Sequence, residues 1–74
     1  MTKIRNQKAI TELGKKVKAL RKERGLSIYA LANIADVERS QILRIESGTT
    51  NTTVSTLFAI ANALEVKPKE LFDF

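Results

Sequence analysis

Arg39, Ser40, Gln41 and Arg44 stand close together in the stretch VERSQILRIESG, residues Val37 to Gly48. All four donate hydrogen bonds, and the two arginines carry a permanent charge. The apolar residues Val37, Ile42 and Ile45 share the stretch, with Leu43 out of step. At the helical period this pattern sets anchors on one side and donors on the other. A donor face of this kind is either an ordinary solvated surface or one built to read an acceptor-rich partner. Catalysis is a poor fit. The chain has no Cys and no His, which excludes disulfides, thiolate chemistry and the usual zinc sets. An enzyme would then need paired carboxylates or an activated Lys or Ser in a pocket, and 74 residues leave little room for one. The acidic residues are scattered singly, so no metal and no cofactor are expected.

Charge gives the donor face a setting. Residues 1–25 carry a net +7, nine bases (Lys3, Arg5, Lys8, Lys15, Lys16, Lys18, Arg21, Lys22, Arg24) against Glu12 and Glu23, more than the +5 of the whole chain. The rest of the chain is slightly acidic. A basic end on a small domain points to a polyanion such as nucleic acid, or to an anionic membrane, or merely keeps a helix surface soluble. No apolar run is long enough to span a bilayer and no signal-peptide pattern follows Met1, so a soluble, cytoplasmic protein is expected. A membrane-surface role for the first helix is disfavoured, because its apolar stripe is needed for a core and it lacks Trp.

The elements that must hold the donor face follow from spacing and caps. Ile10, Leu13, Val17 and Leu20 step by three and four, predicting a helix that begins between Asn6 and Thr11 and stops at Gly25. Ser27 is a good N-cap for a second helix, Ile28 to Asn33 or Ile34, with Leu31, Ala32 and Ala35 inside. A turn at Ala35-Asp36-Val37 leads to a third helix, about Arg39 to Ser47, ended by Gly48. After the polar connection GTTNTT, Thr52 or Thr53 caps a fourth helix carrying Val54, Leu57, Phe58, Ile60, Ala61 and Leu64 at helical spacing. Pro68 suits the start of a short fifth helix, Pro68 to Phe72. The expectation is one all-α, five-helix domain over residues 1–74.

Ser27 to Glu46 is then a unit of helix, short turn and helix, with Ala32 inside, Asp36 at the turn and Val37, Ile42 and Ile45 as anchors. It resembles the helix-turn-helix of the phage-repressor-like (Cro/C1, XRE) family. The likeness extends through LGKKVKALRKERGLS before the unit, RIESG at its end and VSTLFAIANALEVKPKELF after it, nearly the whole of Leu13 to Phe72. In size the chain is similar to restriction–modification controller proteins and small phage repressors.

The resemblance implies that a recognition helix, residues 38–47, lies in the DNA major groove with its N-terminal residues on base edges. Carried over by position, Arg39, Ser40, Gln41, Leu43 and Arg44 are the base-contacting candidates. Arg39 leads, since a guanidinium fits guanine O6 and N7, a contact giving roughly 1–3 kcal/mol of discrimination. Leu43 would touch a thymine methyl, and Glu38 would accept from a cytosine amino group or hold Arg39 or Gln41. Phosphate contacts are assigned to Ser27, Tyr29, Thr49, Thr50, Asn51 and Thr52, at a helix start and a loop. Arg21 and Glu46 match a pair that forms a buried salt bridge in relatives, whose loss is expected to cost about 3–5 kcal/mol. The chain departs from the family pattern at Asp36, where Gly is common, and at Ile28, where Gln is common. A third departure is the GTTNTT loop, which lacks the usual Lys or Arg and leaves Lys15, Lys16 or Lys18 to assist.

One such unit reads too few base pairs to find a site alone, so a homodimer on a palindromic operator is implied. Phe58, Ile60, Leu64, Leu71, Phe72 and Phe74 exceed what a small core needs, which places the dimer contact on the C-terminal helices, residues 53–74, through Phe58, Leu64, Leu71, Phe72 and Phe74; the alternative is that all six pack inside one monomer. The function expected is sequence-specific binding of double-stranded DNA by a dimeric transcription regulator, a repressor or controller. The rival is an antitoxin or other protein-interaction module that keeps the fold with weak or no DNA binding, favoured by Ile28 and the uncharged loop.

Overall fold

A computed structural model describes residues 4–74, so the basic Lys3 lies outside the described residues. Four α-helices and a terminal 3-10 turn follow in order: α1 (Gln7–Glu23), α2 (Ile28–Ala35), α3 (Arg39–Glu46), α4 (Val54–Ala63) and the 3-10 segment Pro68–Phe72. The fifth helix expected from sequence is therefore a 3-10 turn rather than an α-helix. Five residues are too few to propagate the α form, and short tight pieces commonly take the 3-10 form. Pro68 opens it, and the Glu70 carboxylate accepts from the Lys67 backbone N–H at 2.7 Å.

The helix ends sit where polar side chains can satisfy free backbone groups. Asn6, Ser27 and Thr53 accept from the N–H groups of Ala9, Ala30 and Thr56, starting α1, α2 and α4. Glu38 starts α3 without a side-chain bond. Asp36 takes the left-handed conformation, φ 57° and ψ 46°, and the Val37 N–H closes back on the Ala32 carbonyl at 3.0 Å. The turn does require positive φ, and Asp supplies it where Gly is more usual.

Val17, Leu31, Ile42, Ile45, Ile60, Leu64 and Leu71 form the fully buried centre. Val37 lies half-buried at its edge. α1 packs on α3 and on the terminal turn, while α2 bridges α3 and α4. No helix among the described residues is long and apolar enough to cross a membrane.

The assignment of Leu64 and Leu71 to a dimer contact is corrected here. Both are 0 % exposed, as is Ile60. Leu64 continues the inward stripe of Leu57, Ile60 and Ala61 at spacings of three and four, and Leu71 turns inward between α1 and α4. Both side chains therefore belong to the monomer core. Phe58, Phe72 and Phe74, in contrast, are 57 %, 53 % and 57 % exposed.

Candidate nucleic-acid interface

α3 is held from behind by α1. The Arg21 guanidinium forks onto the Glu46 carboxylate, Nε to Oε2 at 2.7 Å and Nη2 to Oε1 at 3.0 Å. Its remaining Nη1 donates to the Leu26 carbonyl at 2.8 Å. Both side chains are below one-tenth exposed, so the pair is a scaffold element, and each of the three guanidinium nitrogens donates one hydrogen bond. The hydrogen bond to Glu46, reinforced by its charge, raises the Arg21 pKa above the ordinary arginine value despite the opposing effect of burial.

Sequence reading placed a close helix crossing at Ala32, which is buried, but missed the one at Gly14. A Cβ on Gly14 would collide with the backbone oxygen of Ile45 and lie 3.0 Å from that of Glu46. Only glycine permits α1 to approach α3 this closely. A glycine within the stripe of Leu13 and Val17 was the available signal.

With Ile42 and Ile45 buried, the opposite side of α3 faces outward. Arg39, Ser40, Leu43 and Arg44 are exposed there, and Gln41 is half-buried. Arg39 lies over the Tyr29 ring of α2, 5.8 Å from its centroid. Glu38 forms no ion pair with Arg39 among the described residues. Lys18, Lys22, Ile28, Leu43 and Ser47 line one open groove between α1, α2 and α3. Of the assisting lysines expected, Lys18 borders this face, whereas Lys15 lies 3.9 Å from Glu12 on the exposed side of α1. Lys22 was missed, although it stands one turn from Lys18.

The phosphate candidates separate into groups. Ser27 caps α2 through its oxygen, which leaves its hydroxyl proton free to donate. Tyr29 and Asn51 are exposed, and Thr50 is half-buried. The Thr49 hydroxyl donates to the Arg44 carbonyl at 3.2 Å and lies 3.0 Å from that of Ser47, so it serves the end of α3 first. The Thr52 side chain is a correction: its hydroxyl oxygen is buried and has no hydrogen-bond partner, so it does not face a phosphate. At the loop's start, the Gln7 amide donates to the Gly48 carbonyl at 2.8 Å and Arg5 donates to the Gln7 side-chain oxygen.

Ile4, Val54, Leu57, Phe72 and Phe74 line a mainly apolar groove that also borders Thr50, Asn51 and Thr52 of the loop. Ile4 and Val54 are among the most exposed apolar residues; sequence reading set Val54 in the apolar spacing of the fourth helix and did not name Ile4. Val54 and Phe58 lie one turn apart on the same side of α4.

Residues 17–71 match the helix-turn-helix family model HTH_3. Among curated relatives, the immunity repressor protein of Bacillus phage phi105 is 42 % identical over 55 residues, covering 74 % of this chain and 38 % of the repressor. The control protein C.BamHI of Bacillus amyloliquefaciens is 39 % identical over 62 residues, 82 % of this chain and 76 % of that protein. The chain thus spans well under half of the phage repressor and about three-quarters of the control protein. Among solved structures, the restriction-modification controller protein C.AhdI from Aeromonas hydrophila superposes with a TM-score of 0.84 at 32 % identity, covering 85 % of this chain and 96 % of C.AhdI. The chain therefore belongs to the helix-turn-helix family of XRE-type DNA-binding regulators and repressors, which are not enzymes.

Proposed function

We propose that this protein is a dimeric, sequence-specific transcription regulator of the cytoplasm that sets residues 38–47 into the major groove of a palindromic operator. The observation that carries the reading is the outward face of α3, where Arg39, Ser40, Leu43 and Arg44 are exposed while the opposite face is fixed by Ile42, Ile45 and the buried Arg21–Glu46 fork. Arg39 at the first turn is the leading base contact, to guanine O6 and N7. Ser40, Leu43 and Arg44 extend the readout, and Gln41 serves at its half-buried edge. Ser27, Thr50 and Asn51, with Lys18 and Lys22, supply the phosphate contacts, whereas the Thr49 backbone N–H and hydroxyl both close onto the Arg44 carbonyl.

Residues 1–74 act as one domain, with the reading unit at 27–46 and pairing through 53–74. Two copies meet through the exposed rings of Phe58, Phe72 and Phe74 and the adjoining Val54 and Ile4. A two-fold contact matches the symmetry of a palindrome and sets two recognition helices about 34 Å apart. Similarity to a phage repressor and to controller proteins supports this reading.

The test is selection of bound duplexes from a random pool, repeated with Arg39→Ala and Arg44→Ala. A palindromic site is expected for the wild type, with degeneracy at one position per half-site for Arg39→Ala. A featureless pool whose weak binding vanishes with salt would show phosphate attraction alone. That result would favour the protein-interaction reading, to which Ile28 and the uncharged loop point.

A further inference from the structure

Arg39, the leading base contact proposed above, has its guanidinium against a side chain of another helix. Arg39 opens α3 and is exposed, as is the neighbouring Glu38, yet no ion pair joins them. Its guanidinium lies instead over the ring of Tyr29, 5.8 Å from the centroid, within the range at which the negative face of an aromatic ring attracts a cation. Tyr29 is two residues into α2, is 64 % exposed, and shares with Arg39 an open groove also lined by Asn33, Asp36 and Val37. The ring is therefore not a core residue. The backbone beneath both residues is fixed, by the Ser27 cap on one side and by the turn at Asp36 on the other.

From this we infer that Tyr29 is a positioning residue for base readout: its ring is the platform that restricts Arg39 to the orientation presented to the groove. The inference rests on the DNA-reading role of α3 given above and differs from a phosphate contact, which would use the Tyr29 hydroxyl. An unrestrained arginine loses rotamer freedom on forming a bidentate contact, and a stacked one has surrendered part of that freedom beforehand. The ring thereby sharpens discrimination at one base pair of each half-site without touching a base.

The experiment uses Tyr29→Phe and Tyr29→Leu, each in the wild-type and the Arg39→Ala background, on duplexes of the selected site differing only at the base pair lost in Arg39→Ala. Tyr29→Phe keeps the ring and is expected to keep the discrimination. Tyr29→Leu is expected to lower it about two- to fivefold, and to have no such effect once Arg39 is Ala. In the free protein, the aromatic ring-current shift of the Arg39 side-chain protons should survive in Tyr29→Phe and vanish in Tyr29→Leu. Equal discrimination by wild type and Tyr29→Leu would overturn the inference while leaving the DNA-reading role intact. So would equal, sequence-independent losses in Phe and Leu, which would assign Tyr29 to phosphate through its hydroxyl. A wild type that discriminates at no base pair would sink the DNA-reading role itself, and the inference with it.

Discussion

Gly14 of α1 lies directly against the backbone oxygen of Ile45 in α3, with no room for a methyl group between them. The buried fork of Arg21 onto Glu46 depends on that approach, because both ends of the pair sit on the same two helices. Gly14→Ala must move backbone, since no flexible side chain is there to yield. Overpacking of this kind costs about 1–3 kcal/mol, even though Ala is the better helix former. The urea midpoint of unfolding is expected to fall accordingly, and an unchanged midpoint would contradict the packing described.

Arg21→Ala leaves the Glu46 carboxylate buried without its partner and is expected to destabilise the fold by about 3–5 kcal/mol. Arg21→Lys should recover only part of this loss, because an ammonium cannot match the two-point fork and also reach the Leu26 carbonyl. The raised Arg21 pKa gives the pH dependence its sign. A cation whose folded value exceeds its unfolded one contributes fully below the unfolded value, and the contribution is lost only as pH rises through the folded one. Both values lie in the strongly alkaline range. Denaturation of wild type and Arg21→Ala in parallel should therefore show a gap that does not shrink from neutral into mildly alkaline solution.

Thr52→Val separates a buried hydroxyl from a phosphate ligand. The Thr52 oxygen is out of solvent with no partner, and replacing an unsatisfied polar group by an apolar one of the same shape removes a penalty of about 1–3 kcal/mol. A rise in melting temperature with unchanged DNA affinity is expected. Weaker binding at low salt, without loss of stability, would return this side chain to the backbone contacts.

Phe58→Ser and Phe74→Ser probe the pairing surface. Each ring that leaves water on association contributes roughly 1.5–3 kcal/mol, and a two-fold contact uses each ring twice. Sedimentation equilibrium should show at least about a tenfold weaker self-association for either variant, with the helical content of the monomer retained. Operator affinity should fall with it. Leu71→Ser should instead unfold the domain, since that side chain belongs to the core.

The course of the helices was legible because their signals are local. The stripe of Ile10, Leu13, Val17 and Leu20, the caps at Ser27 and Thr53, and the turns after Gly25 and Gly48 each depend on residues within one or two turns. The outward set on α3 was legible from periodicity once Ile42 and Ile45 were read as anchors. The partnership of Arg21 with Glu46 came from family resemblance, since nothing local pairs residues 25 apart. What escaped the sequence was decided between elements. Leu71 and Phe72 are adjacent, yet one is buried and the other half in water, because the tight terminal turn sends them different ways. Gly14 against Ile45 and Tyr29 beneath Arg39 are likewise contacts between helices, decided by how the helices pack.

The brevity of α2 and α3, eight residues each, has a consequence for portability. Helices this short do not persist in water by themselves, and the one that carries Glu46 is completed only by a guanidinium from α1. A peptide cut at residues 27–46 would be a disordered chain, and a graft of that segment onto another scaffold would import an orphaned carboxylate. The outward positions are different, because Arg39, Ser40, Leu43 and Arg44 contribute little to the core. Re-addressing the protein to another operator is thus a matter of exchanging that small outward set in place, with Tyr29 changed in step with Arg39.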